Sequence, residues 1–373
     1  MIMKKALILL SILTVMLSFS CSKNEDVKTV AATRPAEAAR PTTPIAVKGL
    51  IRAADVSFFP LIESEGTIYK HNNLPEDPLR TLKNAGCKTI RIRLWKNPTD
   101  GHSGLVEVKN LALRARQLGM KIWLTVHYSD TWADPGSQTK PSEWANLSFI
   151  DLKTAMASYT TTVMNEIHPD IYQIGNETND GFLWPQGKLS TNEAQYLQLA
   201  QAAITAIRAQ STTTKIMFHY AGISGSDWFF GKVHNLDYDY IGLSYYPIWH
   251  GKDLNLLKTT INTLSQVHNK KVLIAETAYP FTLGYNDFTN NIVGQSNQLI
   301  PAYPATADGQ RNFLIAIKSL LQTTTNGIGF CYWGGEWVAF RGPQATNGSS
   351  FENQALWDFN NNALPAMEAF KQD

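Results

Sequence analysis

Short apolar runs alternate with amphipathic stretches along most of the chain. Eight of the runs have the length and composition of buried strands: Ile51–Ser57, Cys87–Trp95, Lys121–His127, Ile171–Asn176, Lys215–His219, Tyr240–Tyr245, Lys271–Glu276 and Gly327–Trp333. Nearly continuous apolar runs are typical of parallel sheets, because helices cover such sheets on both faces. The pattern therefore predicts parallel strands that are buried on both sides.

The segments between these runs carry helix signals. Residues 78–86 begin with proline and end with glycine, an order that favours a short helix. Apolar positions recur at helical spacing over residues 105–118 and again over residues 196–207. Ser190 and Glu193 predict a capping box at the start of the second of these helices.

Eight strands that alternate with helices predict an α/β fold, the (β/α)8 or TIM barrel. Eight β/α units is the number that closes such a barrel. A doubly wound open sheet is the alternative, but no GxGxxG motif follows any predicted strand. No second linker interrupts residues 47–373, so we expect a single catalytic domain there.

The N-terminal part of the chain has a different character. A lysine pair precedes an apolar segment, Ala6 to about Phe19, that is too short for a comfortable membrane span. The residues that end at Cys21 resemble a bacterial lipoprotein cleavage site, so residues 1–21 are predicted to be a signal peptide with a lipidated cysteine. An ordinary signal peptide cut elsewhere is the alternative. Residues 22–46 have no periodicity and predict a flexible linker.

These features predict an outer-membrane lipoprotein, held by its lipid anchor and exposed at the cell surface. The periplasmic face is the alternative. A net charge of +2 gives no case for a nucleic-acid partner. Cys87 and Cys331 lie in apolar runs and predict buried free thiols, and no cysteine–histidine cluster has zinc spacing. We expect a monomer that requires no cofactor.

Polar and aromatic residues stand where the predicted strands end. In barrels the chemistry lies at these carboxyl ends, so the side chains should converge on one opening. They are Asp55, Arg91, Arg93, His127, Asn176, Glu177, His219, Tyr245, Tyr246, Glu276 and Trp333.

Two of these residues, Glu177 and Glu276, predict glycosidase chemistry. They close the fourth and seventh strands, which lie across a barrel from each other. Retaining glycosidases use one carboxyl group as proton donor and another as nucleophile, about 5–5.5 Å apart. We expect Glu177 to be the proton donor and Glu276 the nucleophile. Arg93 is expected to keep Glu276 ionised, and a hydroxyl of Tyr245 or Tyr246 to orient it.

Ordered motifs from about Ile51 to the C-terminus resemble the arabinogalactan endo-β-1,4-galactanases of glycoside hydrolase family 53. The motifs are Asp55-Val56-Ser57, Arg91-Ile92-Arg93-Leu94-Trp95, His127-Tyr128-Ser129-Asp130, Gly175-Asn176-Glu177, Ser244-Tyr245-Tyr246-Pro247 and Glu276-Thr277-Ala278-Tyr279-Pro280. The resemblance implies a retaining enzyme that cleaves inside β-1,4-galactan chains of pectin. The residues expected to contact the sugar are Asp55, Arg93, His127, Asp134, Asn176, Tyr245, Tyr246, Trp333 and Trp337.

The chain departs from the family pattern in two places. After the eighth strand the family's usual glutamate is replaced by Gly334, and Glu336 follows two residues later. Bacterial relatives often bind calcium in a loop after the seventh strand. Here that loop offers Asn286, Asp287 and Asn290, which predict at most a weak structural calcium site.

Two other functions remain open from the sequence. A related barrel endo-glycanase, such as a β-mannanase, would use the same pair of glutamates. A surface glycan-binding lipoprotein on an inactive barrel is the other alternative, although such a protein need not keep both Glu177 and Glu276.

Overall fold

The computed structural model describes residues 49–372, and the predicted signal peptide and linker lie outside this range. Eight parallel strands form a closed barrel in which each strand pairs with its neighbour in sequence and the eighth pairs with the first. The strands are Ile51–Asp55, Thr89–Leu94, Lys121–Val126, Ile171–Ile174, Lys215–Ala221, Tyr240–Ser244, Lys271–Thr277 and Gly327–Tyr332. The predicted (β/α)8 barrel is confirmed, with strand ends that differ by up to two residues.

Helices surround the barrel on its outer side. They are α1 (Phe59–Ser64), α2 (Pro78–Ala85), α3 (Leu105–Gln117), α4 (Phe149–Ile167), α5 (Leu189–Gln210), α6 (Ser226–Val233), α7 (Pro247–His250), α8 (Leu254–His268) and α9 (Ala307–Gln322). A two-stranded ribbon, Lys70–His71 with Leu74–Pro75, lies outside the barrel. Within residues 49–372, none of the helices is both long and apolar enough to cross a membrane.

The local signals for α2 are confirmed, whereas those for α5 are not. Asp77 caps α2, and Gly86 ends it with a φ of +104°. The predicted capping box at Ser190 and Glu193 is wrong. The Ser190 hydroxyl donates to Asp180 instead, and the Glu193 carboxylate pairs with Lys232. The helix already starts at Leu189 and is interrupted by a non-helical residue, so the geometry of a capping box is not formed there.

The inside of the barrel is a packed core with a polar top. Beneath the polar residues lies an apolar cluster of buried side chains: Ala53, Trp123, Ile171, Met217, Leu273, Ala275 and Cys331. The Trp123 indole donates a hydrogen bond to Gln173, which belongs to the polar layer above it. Both cysteines in the described range are free and buried, as predicted. This filled interior leaves the carboxyl end of the barrel as the place for a site.

Candidate active site

The carboxyl ends of the strands open onto a cleft of about 320 Å³. The cleft is lined by Trp132, Ala133, Asp134, Asn176, Glu177, Tyr246, Trp249, Glu276, Trp333, Trp337, Ser350 and Phe351. Both glutamates that the sequence singled out therefore reach the same opening.

Glu177 follows the fourth strand at a sharp turn. Gly175 has a φ of +74° and Glu177 a φ of +47°, a left-handed conformation that is uncommon for residues other than glycine. A Cβ atom at Gly175 would lie 2.4 Å from the Thr178 methyl carbon. The Gln138 amide donates hydrogen bonds to the carbonyls of Asn176 (2.8 Å) and Glu177 (3.3 Å). The backbone therefore fixes the direction in which Glu177 leaves the strand.

Glu276, near the end of the seventh strand, is held by a cation and a hydroxyl. Its Oε1 atom lies 2.7 Å from Nη2 of Arg91, and its Oε2 atom accepts a hydrogen bond of 2.9 Å from the Tyr246 hydroxyl. Arg91 also donates to Asp55 (2.8 Å) and Asn176 (2.9 Å). One buried guanidinium thus positions side chains from three other strand ends.

The prediction that Arg93 keeps Glu276 ionised is wrong, because the arginine that contacts Glu276 and lowers its pKa is Arg91. Arg93 stands two residues further along the strand, about 7 Å nearer the mouth. There its guanidinium donates to the Ser103 hydroxyl at 2.9 and 3.1 Å. It also lies 4.1–4.5 Å from three ring centres, those of Phe58, Trp95 and Trp132. Arg93 therefore stabilises an aromatic wall beside the cleft by cation–π contacts.

Of the two candidate tyrosines, Tyr246 orients Glu276. The Tyr245 side chain is buried, and its hydroxyl donates to the carbonyl of Gly251 at 2.8 Å. Adjacent residues at the end of a strand point to opposite sides, so only one of the two can face the cleft. The expected sugar contact of Tyr245 is therefore not supported.

Asp55 and His127 form part of the floor beneath the cleft. Asp55 is buried and accepts hydrogen bonds from Arg91 and from the Ser57 hydroxyl. The Nδ1 atom of His127 accepts from the Trp95 indole and from the backbone of Ala133, both at 3.2 Å. Burial lowers the pKa of His127 well below its usual value, so its ring is neutral.

Two other predicted contacts, Asp134 and Asn176, do line the cleft. Asp134 is exposed, and its carboxylate closes a turn by accepting from the backbone N–H groups of Gly136 and Ser137. The amide of Asn176 donates to the carbonyl of Ala133, so its oxygen is directed to Arg91.

The tryptophan cluster of Trp132, Trp333 and Trp337 forms one wall of the cleft. The ring centres of successive members lie 6.1 and 5.9 Å apart. Behind them, Phe58 stacks on Trp337 at 4.1 Å, and the backbone N–H of Phe58 donates to Glu336 at 2.9 Å. Glu336 is therefore a buried support of this wall and not a cleft residue. Burial raises its pKa to about 8.

The two catalytic candidates lie close together in different electrostatic surroundings. A carboxylate oxygen of Glu177 lies within 4.8 Å of one of Glu276. Burial, with repulsion from Glu276, raises the pKa of Glu177 to about 8, although a Ser244 hydrogen bond opposes this. Burial also raises the pKa of Glu276, but Arg91 and the Tyr246 hydroxyl counteract it. Glu177 is thus the carboxyl group that keeps a proton near neutral pH.

The loop after the seventh strand and the segment after the eighth contain buried oxygen atoms without partners. Within residues 49–372, Asp287, Asn291 and Glu352 each have one buried side-chain oxygen that accepts no hydrogen bond. The pKa of Glu352 is raised by burial and also by repulsion from Asp287, which places these two carboxylates near each other. Asn290 is exposed, and the Asn286 amide donates to the carbonyl of Phe359. These oxygens are of the kind that calcium prefers.

Sequence reasoning missed two residues that hold Glu177. Ser244 ends the sixth strand, and its hydroxyl donates to Glu177 at 2.5 Å. Its position at a strand end was a usable signal, but the more conspicuous tyrosines follow it directly. Gln138 had no signal, because it lies in a loop after the third strand and acts through a backbone turn.

A (β/α)8 barrel that brings two carboxyl groups together in an open, tryptophan-lined cleft has the architecture of a retaining glycoside hydrolase. The family profile described as "Glycosyl hydrolase family 53" matches residues 51–370. The chain belongs to glycosyl hydrolase family 53.

Individual relatives agree with this assignment. The chain is 34% identical over 340 residues to the arabinogalactan endo-β-1,4-galactanase of Cellvibrio japonicus, spanning 86% of this chain and 90% of that protein. It is 30% identical over 379 residues to the endo-β-1,4-galactanase of Bacillus subtilis, spanning 87% of this chain and 86% of that protein. The solved Ignisphaera aggregans GH53 catalytic domain superposes with a TM-score of 0.80 at 34% identity, covering 89% of this chain and 97% of that domain.

The contact between Tyr246 and Glu276 predicts a change in pH dependence. In Tyr246→Phe, the ionised form of Glu276 loses a hydrogen bond, so its pKa rises. Because Glu276 is the expected nucleophile and must be ionised to attack, the acidic limb of the pH–rate profile should move upward by about one pH unit. Hydrolysis rates measured across the acidic range check this. Tyr245→Phe is the matched control and should leave the acidic limb in place, and an equal shift in both variants would contradict the assignment.

Proposed function

We propose that this protein hydrolyses internal β-1,4-galactosidic bonds of pectic galactan and type I arabinogalactan with retention of configuration. The observation that carries the proposal is the pair Glu177 and Glu276, whose oxygens approach within 4.8 Å in the cleft. That distance suits direct attack by one carboxylate, since inverting enzymes separate their carboxyl groups by about 6.5–9.5 Å to admit a water molecule. The named family-53 relatives support galactan as the substrate.

In the first step Glu276 attacks the anomeric carbon of the bound galactosyl unit. The bond to the glycosidic oxygen breaks, and protonated Glu177 donates its proton to that oxygen as the leaving sugar departs. Arg91 and Tyr246 keep Glu276 ionised and correctly oriented for this attack. The product of the step is a glycosyl ester of Glu276.

In the second step the roles of Glu177 reverse. The carboxylate of Glu177 removes a proton from a water molecule, and the resulting hydroxide attacks the anomeric carbon. The ester bond to Glu276 breaks, which restores both side chains to their starting protonation states. A pKa of about 8 lets Glu177 act as acid and then as base near neutral pH.

The aromatic lining of the cleft supports binding of a chain rather than a single sugar. The tryptophan cluster lies on one side of the cleft, and Trp249, 55% exposed, stands next to Tyr246 at 5.2 Å between ring centres. Flat aromatic surfaces bury the apolar faces of sugar rings. Such surfaces around the glutamate pair suit an endo-acting enzyme.

Substitution of either glutamate should remove most of the activity. Glu177→Ala and Glu276→Ala are each expected to lower kcat/KM on debranched β-1,4-galactan by at least about 100-fold. Thermal unfolding should remain cooperative, since the barrel core does not depend on these side chains. Near-wild-type turnover in either folded variant would contradict the catalytic role proposed for the substituted glutamate.

The products that the wild-type protein releases test the proposed substrate and the retention of configuration. Galacto-oligosaccharides of mixed length, initially in the β configuration by proton NMR, are expected from galactan, with no release from mannan or xylan. Activity on mannan alone would favour the β-mannanase alternative. Binding of galactan without any hydrolysis would favour the glycan-binding alternative.

We also propose that the loop after the seventh strand, together with Glu352 from the segment after the eighth strand, binds a structural calcium ion. Asp287, Asn291 and Glu352 would supply hard oxygen ligands, and their buried oxygens without hydrogen-bond partners support this.

Calcium should raise the melting temperature of the chelator-treated protein by about 5 °C at saturating concentration. Asp287→Ala should abolish the response, whereas Asn290→Ala, at an exposed position, should retain it. A response in Asp287→Ala would contradict this site.

The protein is proposed to lie on the outer surface of the cell, anchored by a lipid on Cys21. The sequence around Cys21 supports this, together with the size of the substrate, because a long polysaccharide does not cross an outer membrane uncut.

Labelled palmitate should enter the full-length protein expressed in a Gram-negative host, and Cys21→Ala should abolish the labelling. Ser22→Ala is the control and should still be labelled. Labelling of Cys21→Ala, or protection of the wild type on intact cells from a protease that cannot cross the outer membrane, would count against the proposal.

A further inference from the structure

A chain of directional hydrogen bonds runs beneath Glu177. It begins at Gln173, whose Oε1 atom accepts from Arg91 (3.3 Å) and from the Trp123 indole (3.1 Å). Arginine and tryptophan side chains can only donate, so this atom must be the amide oxygen. The Nε2 atom of Gln173 is then the donor in its 3.0 Å contact with Nδ1 of His219.

The orientation of Gln173 determines the tautomer of His219. The backbone N–H of Glu177 also donates to Nδ1 of His219, at 3.3 Å. Nδ1 is therefore an acceptor, and burial beside Arg91 lowers the pKa of His219 so that the ring is neutral. A neutral ring has one N–H group, which must then be on Nε2. This group donates to the Ser244 hydroxyl oxygen at 3.0 Å.

The last link of the chain reaches the carboxyl group of Glu177. Ser244 is fully buried, and its oxygen already accepts from His219, so its single proton is directed to Oε1 of Glu177 at 2.5 Å. Within residues 49–372, no group donates a hydrogen bond to the other oxygen, Oε2. The two oxygens of Glu177 are thus made unequal by their neighbours.

We propose that Ser244, oriented by His219, is a positioning residue that keeps Oε1 of Glu177 as an acceptor and so places the transferable proton on Oε2. This inference rests on the proposed role of Glu177 as acid and base. A carboxyl group that is free on both sides could hold its proton on either oxygen, and only the oxygen within reach of the glycosidic bond is productive. Ser244 removes the unproductive arrangement before the substrate binds.

Other charged groups act on Glu177 without distinguishing its oxygens in this way. Glu276 and Asp134 repel its charge, and Arg91 attracts it. Tyr246 directs its hydroxyl to Glu276 instead. Ser244 is consequently the one hydrogen-bond donor to the Glu177 carboxyl group within the described chain, and its removal should alter Glu177 with little direct effect on Glu276.

The test compares Ser244→Ala with Ser244→Cys and with Ser226→Ala. Ser226 is a buried serine whose hydroxyl donates to the carbonyl of Ile223, away from the cleft, so it serves as the matched control. The carboxyl group of Glu177 is titrated by carbon-13 NMR in each protein, with its signal assigned from Glu177→Gln. The pH dependence of galactan hydrolysis is measured in parallel.

Loss of the Ser244 hydroxyl destabilises the ionised form of Glu177, so the pKa of Glu177 should rise in Ser244→Ala. The NMR titration and the basic limb of the pH–rate profile should both move upward by about one pH unit. At neutral pH kcat should fall about ten-fold with KM nearly unchanged, because proton transfer is impaired and binding is not. Ser244→Cys should raise the pKa less than Ser244→Ala, because its thiol still donates a weak hydrogen bond, and it also replaces Ser244→Ala if that variant fails to fold.

An unchanged Glu177 titration in folded Ser244→Ala, or an equal shift in Ser226→Ala, overturns the inference. This NMR result needs no substrate, so it is distinct from failure of the proposed function. That failure would appear as an active Glu177→Ala variant or as a wild type without galactanase activity.

Discussion

The buried guanidinium of Arg91 is the constraint on which the rest of the site depends. A buried cation is costly unless it is paired with opposite charge and hydrogen-bonded. Arg91 meets this condition with Asp55, Gln173, Asn176 and Glu276, which come from or follow the first, fourth and seventh strands. The planar fork of arginine fixes these partners in direction as well as distance. The barrel brings the strand ends together, and Arg91 determines how their side chains meet.

The difference in pKa between the two glutamates follows from the position of Arg91, which contacts Glu276 but not Glu177. Glu276 receives the charge of Arg91 directly, which opposes the rise in its pKa that burial causes. Glu177 lies further from that cation and is held by a neutral serine and histidine, so burial and the nearby negative charge dominate its pKa. Two identical side chains thus differ in pKa because of their surroundings, as the proposed mechanism requires.

The sequence predicted the features that depend on local pattern. Strand and helix periodicity gave the barrel, and the rule that strand ends converge gave Glu177 and Glu276. It could not distinguish Arg91 from Arg93, since both project from the same face of one strand and differ only in depth. Nor did the sequence single out Ser244, because the more conspicuous tyrosines follow it at the strand end and the pairing of the sixth and seventh strands is irregular there. The depth of a side chain in the barrel and the register between two strands are properties of the closed barrel, and the sequence of a single strand does not determine them.

The apolar cluster that fills the lower barrel closes the cleft from below. Incoming water and departing sugar must therefore share the mouth of the barrel. In the proposed mechanism, a second saccharide at the same opening competes with water for the anomeric carbon of the glycosyl ester on Glu276, and Glu177 can deprotonate either one. That mechanism implies hydrolysis of the chain in dilute substrate and partial transglycosylation in concentrated oligosaccharide. The balance between degradation and resynthesis is thus set by what occupies a single entrance.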